Sequence, residues 1–229
     1  PVVFEGAISR PSCCKLDTDK FVAFYKGSGG KAYACAFTVS GTTPTAGALK
    51  EIDSNAISST SIECAQLDTD KFVIAWSIPD SWCKLEICAV SGTTISEGTE
   101  YQFEENLPFS YVGMAKVNGS HFIIVYRGGA SDGQYRYCTF SGLSITAGVG
   151  EGDFGYLPNA GSCDDTDVCL LSALKVAAVY WDSEYSDSWA VVGDYTPGWS
   201  GKISGVTNPA KIMGVDVANI AKVKGVASA

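Results

Sequence analysis

Four times along its 229 residues, at intervals of about fifty, this chain repeats one ten-residue phrase. Leu16-Asp-Thr-Asp-Lys-Phe21-Val-Ala-Phe-Tyr25 returns as Leu67-Asp-Thr-Asp-Lys-Phe72-Val-Ile-Ala-Trp76. Looser copies follow at Val117-Asn-Gly-Ser-His-Phe122-Ile-Ile-Val-Tyr126 and Leu171-Ser-Ala-Leu-Lys-Val176-Ala-Ala-Val-Tyr180. A fixed period of this size means that one supersecondary unit is used several times, and that no unit buries its apolar surface alone.

Each unit divides in the same way. A short strand ends at the Asp-Thr-Asp turn, where Asp and Thr side chains bond the local backbone. The second strand follows at Lys20–Tyr25, Lys71–Trp76, His121–Tyr126 and Lys175–Tyr180. It is apolar on both faces, as a strand covered from both sides must be. A third strand ends at Val39-Ser-Gly-Thr-Thr43, Val90-Ser-Gly-Thr-Thr94, Phe140-Ser-Gly-Leu-Ser144 and, after an insertion, Ile203-Ser-Gly-Val-Thr207. Its glycine suits a hairpin that needs φ > 0. A fourth strand closes the unit, as at Thr99–Phe103 and, in the fourth unit, near Lys211–Val217. Units of this kind describe propeller blades, each shielding its neighbour. The expected fold is all-β: a propeller-like array of four ~50-residue, four-stranded antiparallel blades, near 10–60, 61–111, 112–162 and 163–207, in one domain spanning 1–207. The aromatics that end the second strand, Tyr25, Trp76, Tyr126 and Tyr180, read either as inter-blade packing or as a ring of sugar-stacking residues.

Both ends carry extra strands. Residues 1–9 read as an orphan fourth strand, with Val2, Val3 and Phe4 at its centre. Residues 208–229 hold two copies of Asn-x-Ala-Lys-[Ile/Val]-x-Gly-Val, eleven residues apart. Their glycines and β-branched residues favour short strands over helix, with Ile212, Val215, Val223 and Val226 as the apolar positions. These terminal strands are the candidates for assembly with other subunits. Pro1 stands where an initiator Met would, so a processed, trimmed or partial chain is expected.

Composition narrows the function classes. Hydrophobic residues make up 46% and charged residues 18%, enough apolar matter for a core. The formal charge is −9 with no basic cluster, which argues against nucleic acid and anionic membrane surfaces. No run approaches the ~18 apolar residues of a membrane span. The nine cysteines are odd in number, none forms a C-x-x-C pair, and His121 is the single histidine, which argues against a structural zinc site. Cys35, Cys88 and Cys138 sit within apolar strands and read as buried hydrophobes. Mostly free thiols, made in a reducing compartment, are expected. Cys163 with Cys169 is the first disulfide candidate, and Cys13 with a neighbour the second.

The pairing of Leu-x-Asp-x-Lys-Phe-Val-x-x-Tyr with Val-Ser-Gly-Thr-Thr-Ile resembles the β-propeller repeats of tail-fibre and other structural proteins of tailed bacteriophages, and those of secreted bacterial surface proteins. The C-terminal Asn-x-Ala-Lys-Ile-x-Gly-Val repeats are similar to short repeats that follow binding modules in such virion proteins. The resemblance covers about residues 10–229. It implies a virion or extracellular location and a structural or attachment role. The third and fourth units depart from it, with Asn118-Gly-Ser-His121 and Ser172-Ala-Leu-Lys175 in place of Asp-Thr-Asp-Lys.

The densest aromatic stretch lies in the fourth unit's insertion, where Trp181, Tyr185, Trp189, Tyr195 and Trp199 stand among acids and hydroxyls. That mixture suits glycan recognition or a protein interface, and these five are the candidate ligand-binding residues. Asp164, Asp165 and Asp167 are the candidate cation ligands, with calcium the fitting ion and no other cofactor expected. The Asp17/Asp19 and Asp68/Asp70 turns read as solvated turns. No two carboxylates are paired by the sequence for glycoside hydrolysis. His121 occupies a slot held elsewhere by lysine, so no serine triad is built on it. The expected function is a non-enzymatic structural or attachment protein that presents loops to glycans or a receptor and assembles as a homo-oligomer or with other subunits. The rivals are a filament subunit that exchanges terminal strands and a glycoside hydrolase of propeller fold.

Overall fold

A computed structural model describes residues 8–58, 62–79, 83–104, 110–127, 133–153, 163–172, 175–182 and 187–194, together with the two-residue strands at 202–203, 206–207, 211–212 and 215–216. The described residues are all-β and contain no α-helix.

The first sheet holds β1 (Ser9–Asp17), β2 (Lys20–Lys26), β3 (Ala32–Ser40), β4 (Thr43–Ala46) and β5 (Lys50–Asp53). The second holds β6 (Ile62–Asp68), β7 (Lys71–Ser77), β8 (Cys83–Ser91), β9 (Thr94–Glu97) and β10 (Tyr101–Glu104). The third holds β11 (Ser110–Asn118), β12 (His121–Arg127), β13 (Gly133–Ser141) and β14 (Ser144–Asp153). The fourth holds β15 (Cys163–Ser172), β16 (Lys175–Asp182) and β17 (Asp187–Asp194). Every sheet is an antiparallel meander in chain order; in the first two, the outermost strand is split into two pieces that pair with the same neighbour.

Alternation along the second strand builds the core. Phe72, Ile74 and Trp76 pack against Val22 and Phe24 of the first sheet. Val73 and Ala75, pointing the other way, meet Phe122, Ile124 and Tyr126 of the third. Ile123 and Val125 in turn meet Val176 and Ala178 of the fourth. The repeated phrase therefore encodes one two-faced sheet, and stacking such sheets makes three successive cores. A polar clamp adds to the first of these. The Trp76 indole donates to Asp53 Oδ2 at 2.9 Å, and Lys84 Nζ donates to the same oxygen at 3.0 Å. The second-strand aromatics Tyr25, Trp76, Tyr126 and Tyr180 are all at most 4% exposed, so they are packing residues rather than a sugar-stacking ring.

Two sets of glycines hold the frame. Gly41, Gly92 and Gly142 sit at φ 61–62° in the hairpin after the third strand, the left-handed turn their motif calls for. Gly98 lies at the split in the second sheet's outer strand, where a Cβ would stand 2.2 Å from the Leu143 carbonyl of the next sheet.

Three expectations are corrected. The third strand of the fourth unit is Asp187–Asp194, not the segment ending at Ile203; Lys202–Ile203 (β18) and Val206–Thr207 (β19) form a separate two-stranded hairpin. The run Ala190-Val191-Val192, with its two β-branched valines, supplies what β16 pairs with. The closing strand expected near Lys211–Val217 does not join the fourth sheet. Lys211–Ile212 (β20) and Val215–Asp216 (β21) pair with each other instead, bringing Ile212 opposite Val215. All nine cysteines are free, and Cys163 and Cys169 lie on one strand. Six residues of extended chain separate them by ~20 Å, far beyond disulfide reach. Val2, Val3, Phe4, Val223 and Val226 lie outside the described residues.

Candidate functional site: an axial cleft

The first strands of the four sheets, β1, β6, β11 and β15, lie side by side. They enclose a cleft of about 350 Å³ at their N-terminal ends. Arg10 enters it from β1, Ile62 and Glu63 from β6, Tyr111 and Val112 from β11, and Asp165, Thr166 and Asp167 from β15.

Three of these strands carry the same irregularity at the cleft. Pairing with the second strand slips between Ser9 and Ser12, between Ser110 and Gly113, and between Asp164 and Asp167. Within each slip one residue takes a left-handed conformation: Arg10 at φ 50°, Tyr111 at φ 53° and Asp165 at φ 47°. Each stands six residues before the anchor that opens the repeated phrase, Leu16, Val117 and Leu171. The extra residue of a bulge turns its side chain out of the alternation. A left-handed non-glycine residue costs of order 1–3 kcal/mol, and such residues gather where a fold presents function. The equivalent position in the second unit, Ser61, lies outside the described residues.

Four residues before the anchor the strands come closest. Ser12 Oγ donates to Glu63 Oε1 at 2.8 Å, and the same oxygen accepts the Cys64 amide at 3.1 Å. Gly113 lets β11 approach β15 so nearly that a Cβ there would lie 2.7 Å from Asp167 Cα. Thr166 Oγ1 donates to the Tyr111 carbonyl, tying the bulge of β11 to that of β15. Burial pushes the Glu63 carboxyl up to about 7, against the Ser12 and Cys64 bonds, and the Asp167 charge adds to the rise. Arg10 forms no hydrogen bond or ion pair among the described residues, so its guanidinium is free to bind. The Arg127 guanidinium lies over the Tyr111 ring, 6.0 Å from its centroid, and holds that ring in place.

The sequence-predicted residues meet this site in part. Asp165 and Asp167 line the cleft, and Asp164 pairs with Trp181 just beside it. Among the described residues no group of three His, Cys, Asp or Glu side chains converges, and the Asp164 side chain lies outside what the structure describes. Trp181 is the penultimate residue of β16 and is exposed on the outer face of the fourth sheet. Trp189 lies in β17 in register with Tyr180. Tyr185, Tyr195 and Trp199 lie outside the described residues. Arg10, Glu63, Tyr111 and Thr166 are not among the residues that sequence reasoning singles out. A signal existed, because aligning the repeats puts Arg10, Ser61, Tyr111 and Asp165 at one station, polar and variable inside an otherwise constant frame. His121 opens β12, and its Nδ1 lies 2.9 Å from Asn118 Oδ1.

No protein-family model matches the chain, and no curated relative is found. Solved structures do share the fold. The NanB sialidase from Streptococcus pneumoniae, in complex with a substituted ethanesulfonate, superposes with a TM-score of 0.53 at 13% identity, over 74% of this chain and 27% of that one. The SapL1 lectin in complex with α-methyl fucoside gives 0.50 at 10% identity, over 83% and 60%. A mutant of AofleA from Arthrobotrys oligospora gives 0.51 at 8% identity, over 82% and 57%. The chain thus spans about a quarter of the sialidase and about three fifths of the lectin. At these identities the likeness is one of fold.

Proposed function

We propose that this chain is a non-enzymatic glycan-recognition module of a virion or extracellular surface, and that the axial cleft is where the sugar binds. The observation that carries the reading is the set of three left-handed bulges, which aim Arg10, Tyr111 and Asp165 into one cleft from three different sheets. The parts match what a sugar requires. The Tyr111 ring, steadied by Arg127, offers a face to sugar C–H groups. Arg10 supplies donors, and Asp165 and Asp167 supply charged acceptors for hydroxyls. One guanidinium faces three carboxyl groups in the cleft, so a neutral sugar fits better than an acidic one. The likeness to the SapL1 lectin fold supports the class, and the repeat pattern supports the surface setting.

One observation favours glycoside hydrolysis as a second reading. Glu63, protonated up to about pH 7, shares the cleft with Asp167, and an acid beside a carboxylate is the pairing that reaction uses. Glu63 Oε1 is already engaged by Ser12 and Cys64, which favours a role in the wall. A glycan array and calorimetry with neutral monosaccharides test the lead. Binding that drops ~10-fold or more in Tyr111→Ala and Arg10→Ala supports it, while unchanged affinity in both variants sinks it. Turnover of any glycan that disappears in Glu63→Gln establishes the second reading instead.

A further inference from the structure

Neighbouring first strands meet at one recurring station. The residue two places before the anchor of one unit falls in the same core as the residue three places before the anchor of the next. Between the second and third sheets these are Ala65 and Met114, and between the third and fourth Ala115 and Val168. Between the first and second sheets they are Cys14 and Cys64. Two thiols thus stand where the other interfaces hold ordinary apolar side chains.

Local geometry presses the two together. Alternation along β1 puts Ser12 and Cys14 on one side of the strand and Cys13 on the other, so Cys13 is exposed while Cys14 is buried. The Cys64 amide donates to Ser12 Oγ at 3.1 Å, and Gln66 Nε2 donates to the Leu16 carbonyl at 2.6 Å. These two bonds pin β1 to β6 on either side of Cys14. The Cys64 thiol lies 3.5 Å from Ser12 Oγ and donates to the Cys14 thiol; that contact, with burial, pushes the Cys64 thiol well above its ordinary range. Thiols in hydrogen-bonding contact need only small shifts to reach an S–S bond of ~2.05 Å.

We propose that Cys14 and Cys64 are a disulfide site, which staples the first sheet to the second when the chain meets an oxidising compartment. The oxidant is a small disulfide such as oxidised glutathione, or the disulfide of an oxidoreductase. The Cys14 thiolate attacks it; one S–S bond breaks, a mixed disulfide forms and one thiol is released. Cys64 then displaces the other half. One S–S bond has been exchanged for another: the protein pair loses two electrons and two protons, and the oxidant leaves as two thiols. Burial slows this reaction in the folded chain, so the bond closes as the two sheets come together. The staple sits behind Glu63, which lines the cleft and shares Ser12 with Cys64, and it holds that wall against opening. It closes a loop of about fifty residues, long enough to restrict the unfolded chain.

Refolding the full chain in a mixture of reduced and oxidised glutathione, poised like a secretory compartment, followed by alkylation and digestion, reads the site directly. Two of the nine thiols should resist alkylation, and one cross-linked peptide pair should join Cys14 to Cys64. The oxidised chain should melt ~5 °C or more above the reduced chain. Nine alkylatable thiols, or a cross-link that runs through Cys13 or Cys35 instead, overturn the proposal. Cys14→Ala and Cys64→Val give this interface side-chain types that the third and fourth sheets already use at the same station. Each variant should melt like the reduced native chain and lose the redox-dependent rise. A rise that persists in either variant overturns the proposal as well.

Discussion

The second and fourth sheets are built from the same phrase and live in opposite conditions. Phe72, Val73, Ile74 and Ala75 are wholly buried, because sheets lie on both sides. Val176 and Ala178 are buried against the third sheet, whereas Val179, on the opposite face, is half-exposed, because among the described residues no further sheet lies on that side. Apolar character on both faces is thus a property of the repeat, whereas burial is a property of position in the stack. A strand's sequence states what it requires, and its neighbour decides whether the requirement is met.

That contrast is open to direct attack. The largest effect is expected at the doubly covered sheet: Phe72→Ala should cost ~3–5 kcal/mol, read from urea unfolding. A cost below ~1 kcal/mol would mean that the second sheet is not sandwiched as described. Next comes Gly98→Ala. A Cβ there would stand 2.2 Å from the Leu143 oxygen and 2.5 Å from that of Ile87, both backbone atoms that have no room to yield. A loss of ~2 kcal/mol or more is expected, with a matching fall in melting temperature.

A smaller effect follows from pH. Burial raises Glu63 and Glu86 from the ordinary carboxylate range to about 7. The folded chain therefore holds these protons at pH values where the unfolded chain has released them. Stability present below pH ~4.5 is lost progressively as pH rises towards ~7. Glu63→Gln should remove its share of that slope in pH-resolved unfolding, and an unchanged slope would contradict its burial. Asp53 runs the other way. Burial alone would raise it, but the Asn55 amide, Trp76 indole and Lys84 ammonium hold it below its ordinary value, so its contribution is lost on acidification. The smallest effect belongs to the bare sheet. Val179→Ala should change monomer stability by no more than ~0.5 kcal/mol, whereas Val73→Ala, inside the stack, should cost ~1.5–3 kcal/mol.

The parts of this molecule that are local in origin were legible in its sequence. Second-strand positions, the left-handed glycines at 41, 92 and 142, and the common setting of Phe72, Phe122 and Val176 all follow from patterns within one unit. So do the Asp-Thr-Asp turns, where the Thr18 and Thr69 amides donate to Asp17 and Asp68. The cleft was not legible in this way. A bulge exists only relative to a partner strand, and Glu63 becomes a high-pKa group in a wall completed by Ser12, which lies 51 residues away on another sheet. The third strand of the fourth unit departs from its motif because Ile203-Ser-Gly-Val-Thr207 copies the earlier hairpins, while strand pairing follows the nearer run Ala190–Val192. The aromatic count draws attention to Trp181 and its companions; the variable station six residues before each anchor is the quieter and more informative signal.

That station has a consequence for stoichiometry. A repeat that keeps the same contact residue in every copy offers as many equivalent berths as it has units. Here duplication kept the framework and let one place drift to arginine, serine, tyrosine and aspartate. On the proposed function the cleft is then one composite address with a built-in handedness, so titration of a cleft ligand should saturate at one molecule per chain.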